Sequence, residues 1–325
     1  MNLYPLKFQP ILKSIIWGGS QISKFKNLDS VEDGIGESWE ISAVEDNVSV
    51  VENGALAGKQ LDSLIHEAKV ALVGNKVYEK YGDKFPLLIK FIDAQDDLSI
   101  QVHPDDELAK ERHNSFGKTE MWYVVKAEPD AFVISGFKEK ITPEEYVEKV
   151  ENNTFTDSLK KHMVNAGDVF FLPAGRVHAI GSGCFIAEIQ QTSNITYRIY
   201  DYDRKDAQGN TRELHTDLAK DAIDYSVEES YTTDYETVEN KPVELVSCQY
   251  FTTNLLELTE SFDQNVSGID SFIVLMCLEG KCTLKDDRQN EVSIEQGETV
   301  LLPAKIKGIT IEPTQKTKLL QTFVS

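Results

Sequence analysis

The amino-acid sequence predicts a mainly β protein in which two β-barrel units carry a few short helices. Much of the chain consists of short β-forming runs separated by Gly, Pro and Asp, as in sandwiches and barrels. The segment GDVFFLPAG (residues 167–175) is also echoed by GETVLLPAK (residues 297–305). The distance between these two segments is too long for a solenoid repeat and indicates a duplicated β domain.

Short apolar runs bounded by turn residues are the strand candidates, and they outnumber the helical patterns. These runs cover residues 98–103, 121–127, 131–135, 168–172, 184–190, 272–278 and 299–302.

Helical patterns fall in three places. Apolar residues at one-sided spacing predict a helix within residues 60–81. Thr142, Pro143 and Glu145 form a capping box with proline at the first helical position, which begins a second helix. A short helix is also expected over residues 105–113, where acidic residues come first and basic residues come late, as the helix dipole prefers.

The chain is expected to divide near residue 240. Residues 226–241 are rich in Glu, Thr and Tyr and precede Pro242, so they form the expected junction. The sequence thus predicts a catalytic domain over residues 1–240 and a C-terminal β domain over residues 241–325. The first copy of the repeat continues to His178, whereas the second copy has no histidine there. We therefore expect the C-terminal domain to be a degenerate copy.

Composition and charge exclude several classes of protein. Hydrophobic residues make up 41% and charged residues 27%, as in a globular protein with a core. The net charge of −21 disfavours nucleic acid and anionic membranes as partners. No run approaches the roughly 20 apolar residues of a membrane span, and the N-terminus does not resemble a signal peptide. We expect a cytoplasmic protein whose few cysteines are reduced and mostly buried.

Four residues in matched β contexts are candidate metal ligands. Gln101 and His103 project from the same face of one predicted strand, about 6.6 Å apart. Glu120 opens another apolar run, and His178 follows a Pro-Ala-Gly turn. Two imidazoles, a carboxylate and an amide oxygen at strand ends can converge on a divalent cation. This donor set suits Zn²⁺, with Fe²⁺, Mn²⁺ or Co²⁺ also possible. The remaining histidines are expected at the surface: His66, His113, His162 and His215.

Several motifs resemble a known family. Residues 167–182 fit the pattern G(x)5PxG(x)2H(x)3S, which resembles the second metal motif of the cupin superfamily, with Ser182 where Asn is usual. Further motifs are similar, in order, to the short bacterial form of class I mannose-6-phosphate isomerase. They are WGG (17–19), GESWEIS (36–42), PLLIKFID (86–93), LSIQVHPD (98–105), GKTEMWY (117–123) and ITYRIYDY (195–202).

The resemblance implies a fold, an activity and a set of site residues. The fold would be cupin jelly-roll barrels in a bicupin-like arrangement. The activity would be a zinc-dependent aldose–ketose isomerase that interconverts mannose 6-phosphate and fructose 6-phosphate through an enediolate. One Zn²⁺ per chain would be bound by the four residues that the strand pattern selects. The implied catalytic residues are Arg198 and Lys118, and the implied substrate-binding residues are Lys90, Ser99, Glu37 and Glu188.

These residues suit a small phosphorylated sugar as substrate. Lys90, Lys118 and Arg198 are expected to form a basic cluster that attracts an anion in an otherwise acidic protein. The group that transfers the proton stays open between Lys118, Glu188 and a zinc-bound water. The sequence also leaves a monomer and a homodimer as alternatives.

Two other functions compete with the isomerase. Two histidines and a carboxylate also bind ferrous iron in cupin oxygenases. A non-enzymatic sugar-binding cupin would keep the metal only for structure. Gln101 as a fourth ligand and the basic cluster favour the isomerase over both alternatives.

Overall fold

The computed structural model describes residues 1–30, 34–206 and 208–324. Strands predominate in this part of the chain, which confirms the predicted β class. The strands of the first 240 residues are β1 (Leu6–Lys7), β2 (Ile11–Gly19), β3 (Ile35–Ile41), β4 (Ala43–Val44), β5 (Asn47–Val48), β6 (Leu87–Ala94), β7 (Ile100–Val102), β8 (Glu120–Ala127), β9 (Phe132–Phe137), β10 (Leu159–Met163), β11 (Val169–Leu172), β12 (His178–Ile180), β13 (Cys184–Gln191) and β14 (Tyr197–Tyr200).

The later part of the chain continues with strands only. They are β15 (Pro242–Ser247), β16 (Thr252–Leu258), β17 (Phe262–Asn265), β18 (Ile273–Glu279), β19 (Lys281–Asp286), β20 (Glu291–Glu295), β21 (Thr299–Leu302), β22 (Gly308–Pro313) and β23 (Thr317–Phe323). The helices all lie before residue 240 among the described residues. They are α1 (Gln21–Phe25), α2 (Leu61–Ala68), α3 (Val70–Val73), α4 (Asn75–Tyr81), α5 (Asp106–His113), α6 (Pro143–Glu151) and α7 (Thr216–Ala222), with 3-10 turns at Gly54–Leu56 and Phe155–Ser158.

The first unit is a sandwich of two antiparallel sheets. One sheet has the order β11-β8-β13-β6-β2-β3, and the other has the order β10-β9-β12-β7-β14. Apolar side chains from both sheets fill the space between them, among them Ile92, Val124 and Ile186 from the first and Val133 and Ile180 from the second. The polar cavity described below opens between the same two sheets.

The second unit repeats this plan with a six-stranded and a four-stranded sheet. Their orders are β1-β21-β18-β23-β16-β15 and β17-β22-β19-β20. The space between them is filled by apolar residues such as Leu256, Leu275, Leu284 and Ile311. Strand β1 pairs with β21, so a strand from the start of the chain completes the second unit. The domain division at residue 240 stays a prediction, and Ser325, the end of its second range, lies outside the described residues.

The two six-stranded sheets share one large apolar core. Ile89 and Phe91 of β6 pack in the same cluster as Val274 of β18 and Leu320 of β23. Because side chains alternate along a strand, Lys90 between them points to the opposite face, where it lines the cavity. Strand β6 is therefore buried on both faces, one against the second unit and one against the site.

The predicted helix over residues 60–81 is wrong as a single element. The chain forms three short helices there, α2, α3 and α4. Lys69 and Gly74 have φ angles of 47° and 94°, and neither conformation can continue a right-handed helix. The capping box of α6 and the helix over residues 105–113 are confirmed, the latter with Asp105 as its N-cap.

The cysteines and most histidines lie as expected. The four cysteines are free, and Cys184, Cys277 and Cys282 are buried. His66 and His113 are exposed, but His162 and His215 are half-buried, so their assignment to the surface is wrong. His162 contacts the Ser135 carbonyl, and that contact draws it toward the sheet. No helix in the described ranges is both long and apolar enough to cross a membrane.

Candidate active site

Two rows of side chains, one from each sheet of the first unit, line a single cavity. In the six-stranded sheet, Trp39 lies beside Lys90, Lys90 beside Glu188, and Glu188 beside Trp122. In the five-stranded sheet, Gln101 has Arg198 as its neighbour on one side and His178 on the other. The strand register thus makes these polar residues neighbours along each wall of the cavity.

The cavity has a volume of about 200 Å³ and a mixed aromatic and charged lining. All three tryptophans of the chain lie in it, namely Trp17, Trp39 and Trp122. Aromatic rings beside charged side chains are suited to the apolar faces and hydroxyl groups of a sugar. The other lining residues are Ile15, Glu37, Leu88, Lys90, Ile92, Leu98, Ser99, Gln101, Lys118, Ile180, Glu188, Ser193, Asn194, Thr196, Arg198 and Arg212.

Beneath this cavity, His103, Glu120 and His178 form a buried group that can hold a metal ion. One ligand atom from each residue lies within 4.8 Å of the others. His103 Nε2 is 3.1 Å from His178 Nε2, and His178 Nε2 is 3.3 Å from Glu120 Oε1. Each of the three side chains is about 1% to 2% exposed. Bulk water therefore does not separate these donor atoms.

Backbone carbonyls orient both imidazoles. His103 Nδ1 lies 2.9 Å from the Ile195 carbonyl oxygen, and His178 Nδ1 lies 2.8 Å from the Arg176 carbonyl oxygen. Each Nδ1 must therefore carry the proton and donate, which leaves both Nε2 lone pairs directed at the shared centre. This is the tautomer that a metal-ligating histidine needs.

The electrostatics of the group also fit a bound cation. Burial lowers the pKa of His178 to about 4 and holds the pKa of His103 well below its ordinary value. Burial raises the pKa of Glu120 to about 7, with the Glu188 carboxylate adding to the rise. Neither oxygen of Glu120 has a hydrogen bond of good geometry with any described residue. Two neutral imidazoles beside a buried carboxylate without such bonds fit a divalent cation well.

Gln101 is the fourth predicted ligand, and it lies where the cavity meets this group. Its side-chain nitrogen is 3.3 Å from His178 Nε2, and its side-chain oxygen is 3.5 Å from Ser99 Oγ. Rotation of the amide would bring its oxygen to the histidine side, because the two ends have the same shape. The structure therefore brings Gln101 together with the other three predicted ligands.

Lys90 is paired with carboxylates in the cavity wall. Its Nζ lies 2.8 Å from Glu188 Oε2 and 3.6 Å from Glu37 Oε2. The indole of Trp122 donates to Glu188 Oε1 at 2.9 Å, and the indole of Trp39 donates to Glu37 Oε2 at 2.5 Å. These carboxylates hold the pKa of Lys90 above its ordinary value although burial opposes the charge. Lys90, Lys118 and Arg198 thus line one cavity, and the carboxylates next to Lys90 balance its charge there.

Arg198 keeps its charge available on the other side of the cavity. Its Nε donates to Ser99 Oγ at 3.3 Å and its Nη1 donates to the Glu213 carbonyl at 3.0 Å, and both acceptors are uncharged. Arg212 also lines the cavity and is fixed by Asp201, which accepts from its Nε at 2.7 Å. Because Arg204 also donates to Asp201, this edge of the cavity carries net positive charge.

Lys118 connects the cavity with the His–Glu–His group. It is 6% exposed, lines the cavity, and places its Nζ 3.4 Å from Glu120 Oε2. An ammonium at this distance lowers the pKa of Glu120, although burial outweighs this effect. Lys118 thus forms an ion pair from the cavity wall with one of the candidate ligands.

The structure brings every predicted site residue to one place and adds three members that were not predicted, Trp17, Trp39 and Arg212. Trp17 and Trp39 belong to segments that resemble the family, so their motif membership was a signal for them. Arg212 lies in a loop outside those motifs. Its hydrogen bond to Asp201, formed when the loop folds back, places it at the cavity. Residue type and spacing gave no signal for that contact.

The fold and the site define a cupin-type β protein with a metal-capable His–Glu–His group under a polar cavity. Two family profiles match this chain. Residues 5–152 match the family profile described as phosphomannose isomerase type I, catalytic domain. Residues 241–320 match the profile described as mannose-6-phosphate isomerase, cupin domain.

Individual relatives match over nearly the whole chain. The mannose-6-phosphate isomerase of Bacillus subtilis is 36% identical over 315 residues, which span 96% of this chain and 97% of that protein. The mannose-6-phosphate isomerase of Streptococcus mutans is 36% identical over 305 residues, 94% of each chain. A crystal structure of the mannose 6-phosphate isomerase from Bacillus subtilis superposes with a TM-score of 0.88 at 30% identity, covering 98% of this chain and 99% of that one.

The chain belongs to the type I mannose-6-phosphate isomerase family. The family predicted from the sequence motifs is therefore confirmed, as are the cupin fold class and the prediction of an isomerase-type enzyme.

Proposed function

We propose that this protein is a zinc-dependent aldose–ketose isomerase that interconverts mannose 6-phosphate and fructose 6-phosphate through an enediolate. The buried group of His103, Glu120 and His178, lying directly under a cavity with aromatic and cationic walls, is the observation that carries the proposal. Membership of the family supports the same reaction.

The metal would be held by Gln101, His103, Glu120 and His178, one ion per chain. The single carboxylate of this set leaves net positive charge on a divalent ion. When bound, Zn²⁺ supplies Lewis-acid stabilisation for negative charge that develops on the sugar oxygens. The histidine orientation and the buried carboxylate without well-formed hydrogen bonds support this ligand set, and its nitrogen and oxygen donors suit zinc.

Arg198 and Arg212 would bind the phosphate of the substrate. Arg198 is bonded only to neutral acceptors among its side-chain contacts, and Arg212 is held rigid by Asp201. Guanidinium groups match phosphate oxygens in shape and charge, and a fixed guanidinium loses little entropy on binding. A substrate anchored at this edge would extend its carbonyl end toward Gln101.

Lys118 would carry the proton between the two carbons of the enediolate. Its Nζ lies at the cavity wall beside Glu120, whereas Glu188 is already held by Lys90 and the Trp122 indole. The amine would accept the proton from one carbon and return it to the neighbouring carbon. Arg198 would add a fixed positive charge to the negative intermediate.

The row of Lys90, Glu188 and Glu37 would bind sugar hydroxyls. Its one cation and two carboxylates leave a net negative charge, so it offers hydrogen bonds without attracting a second anion. Ser99 accepts a hydrogen bond from Arg198 and would bind a sugar hydroxyl near the phosphate. One wall of the cavity would thus bind the sugar hydroxyls, and the other wall would bind the phosphate.

Formation of fructose 6-phosphate from mannose 6-phosphate by the purified full chain tests the proposal. We expect turnover that disappears after removal of metal with a chelator and returns when zinc is added. Folded protein that binds zinc without turnover would contradict the isomerase and favour a sugar-binding role. Iron with oxygen consumption would instead indicate a cupin oxygenase.

A further inference from the structure

The segment that carries Lys118 and leads into Glu120 is fixed at three consecutive backbone amides. The Gly117 N–H donates to Asp106 Oδ1 at 2.8 Å, and the Lys118 N–H donates to the Pro104 carbonyl at 3.2 Å. The Thr119 N–H donates to Gln191 Oε1 at 2.8 Å. These bonds set the path of the chain immediately before the candidate metal ligand.

Asp106 joins this segment to the second unit. Besides the Gly117 amide, its Oδ1 accepts from Gln191 Nε2 at 3.0 Å. Its Oδ2 accepts from the Tyr250 hydroxyl at 2.7 Å. Tyr250 is buried in the turn between β15 and β16, which belong to the sheet of the second unit. A single carboxylate thus receives bonds from the segment, from β13 and from the other unit.

The packing around this carboxylate leaves little room for adjustment. A Cβ atom added to Gly117 would lie 2.6 Å from the backbone carbon of Asp105, so the segment lies directly on the start of α5. Lys118 and Thr119 are 6% and 4% exposed, respectively. A change in the position of the Asp106 carboxylate would therefore be passed on to the segment, because neighbouring side chains cannot yield to absorb it.

We propose that Tyr250 is a positioning residue through which the second unit fixes the Lys118–Glu120 segment at the active site. Its hydroxyl holds Asp106, Asp106 holds Gly117 directly and Thr119 through Gln191, and these two amides set the direction of Lys118 and Glu120. The catalytic part of this inference depends on the proposed function, whereas the part on metal affinity depends only on the ligand group. The second unit, which offers no His–Glu–His group of its own in the described ranges, would thus still contribute to the chemistry.

The substitution Tyr250→Phe tests this role because it removes one hydroxyl and retains the ring. We expect the metal-free variant to bind zinc about tenfold more weakly in competition with a chelating dye, as for other outer groups that orient ligands. We also expect about a tenfold lower kcat with KM for mannose 6-phosphate nearly unchanged, because the arginines are untouched. Asp106→Asn should add little to Tyr250→Phe, since the amide keeps an oxygen for Gly117 and Gln191 and the bond from Tyr250 is already absent.

Tyr235→Phe is the matched control. It removes a hydroxyl that donates to the Gly167 carbonyl at 2.6 Å, outside this chain of bonds, and should leave zinc affinity and kcat unchanged. A Tyr250→Phe protein with a lower melting temperature but wild-type zinc affinity and kcat would overturn the proposal. If the wild type binds zinc but does not turn over mannose 6-phosphate, the proposed function fails, and the zinc measurement still decides the role of Tyr250.

Discussion

Glu120 is a buried carboxylate whose surroundings fit a bound cation. Its carboxylate is buried, and neither oxygen has a well-formed hydrogen bond to a described residue. Burial of a charge without such bonds destabilises a folded protein. The same carboxylate would stabilise the fold once a cation lies between it and the two imidazoles. The effect of Glu120 on the stability of the protein should therefore depend on bound metal.

Glu120→Gln should therefore change stability in opposite directions with and without zinc. In metal-free protein the variant should be more stable than the wild type by about 1–3 kcal/mol, because a buried charge is removed. With zinc present the wild type should be more stable, because the variant has lost its anionic ligand. Urea unfolding of both proteins with chelator and with zinc measures this. A metal-free variant that is less stable than the metal-free wild type would contradict this account of Glu120.

Lys90 shows a different case, a buried charge that two carboxylates of the protein neutralise. Lys90→Met should lower the free energy of unfolding by about 3–5 kcal/mol, since it leaves the buried Glu188 carboxylate and the half-buried Glu37 carboxylate without their partner. Lys90→Met with Glu188→Leu should recover much of this loss, because both charges of the closest pair are then gone. The double variant should nevertheless lack activity.

Acid should remove the contribution of the Lys90–Glu188 pair. Lys90, Lys118 and the Trp122 indole hold the pKa of Glu188 at about 2, below its ordinary value of 4.5, although burial opposes this. The stabilisation is therefore complete above pH 4.5 and is lost as pH falls toward about 2. The stability difference between wild type and Glu188→Gln should narrow over that range, and a difference that is constant with pH would exclude this cause.

Among the elements, the region of residues 60–81 shows why a helical pattern can mislead. Apolar spacing continues through the region, yet positive φ angles at Lys69 and Gly74 divide it. The pieces after Lys69 bond to the second unit: the Ala304 amide donates to the Leu72 carbonyl of α3 at 2.9 Å, and Asp270 Oδ1 accepts from the Asn75 amide of α4 at 2.8 Å. Periodicity reports which residues are apolar, but not where a tertiary contact interrupts the helix.

Gly74→Ala should be strongly destabilising because of that contact. A Cβ atom at this position would lie 2.3 Å from the Asp270 carbonyl oxygen, and the positive φ adds strain. We expect a loss of at least about 3 kcal/mol in denaturant unfolding. Gly82→Ala is the control, since its φ is also positive but a Cβ there meets nothing within 4 Å, and it should cost only about 1 kcal/mol. Equal losses for the two variants would contradict the proposed clash.

Strand patterns made the candidate metal ligands predictable from the sequence, whereas the other predicted site residues came from the resemblance to the family. Strand alternation placed Gln101 and His103 on one face, and Glu120 was recognised because it directly precedes an apolar run, which in the structure is β8. The pairing of Lys90 with Glu188 was not predictable, because it depends on the register between β6 and β13, which the sequence does not state. Arg212 and Tyr250 were missed for the same reason, since loop return and packing between units decide their contacts.

At the scale of the whole molecule, the two units have kept the same plan but different interiors. His178 begins β12 after its Pro-Ala-Gly turn, and Gly308 begins β22 after the matching turn. The second interior is filled with apolar side chains, whereas the first holds the polar cavity. The second unit instead covers one face of the catalytic sheet and reaches Asp106 through Tyr250.

Placement of all three tryptophans in one cavity makes the fluorescence of the whole protein report on that site. Fructose 6-phosphate should produce a saturable change in tryptophan emission, because the ligand displaces water from indoles that lie along the cavity wall. Arg198→Gln should require a higher sugar phosphate concentration for the same change. Binding detected by calorimetry without any change in emission would contradict this location of the ligand.

Titration of zinc into the metal-free full chain, with isomerase activity followed at each addition, tests the central claim most directly. Activity should rise linearly with bound zinc and reach its plateau at one ion per chain, and Glu120→Gln should stay inactive throughout. Binding of zinc at that stoichiometry with activity that does not follow it would contradict the claim that this His–Glu–His group is the catalytic centre.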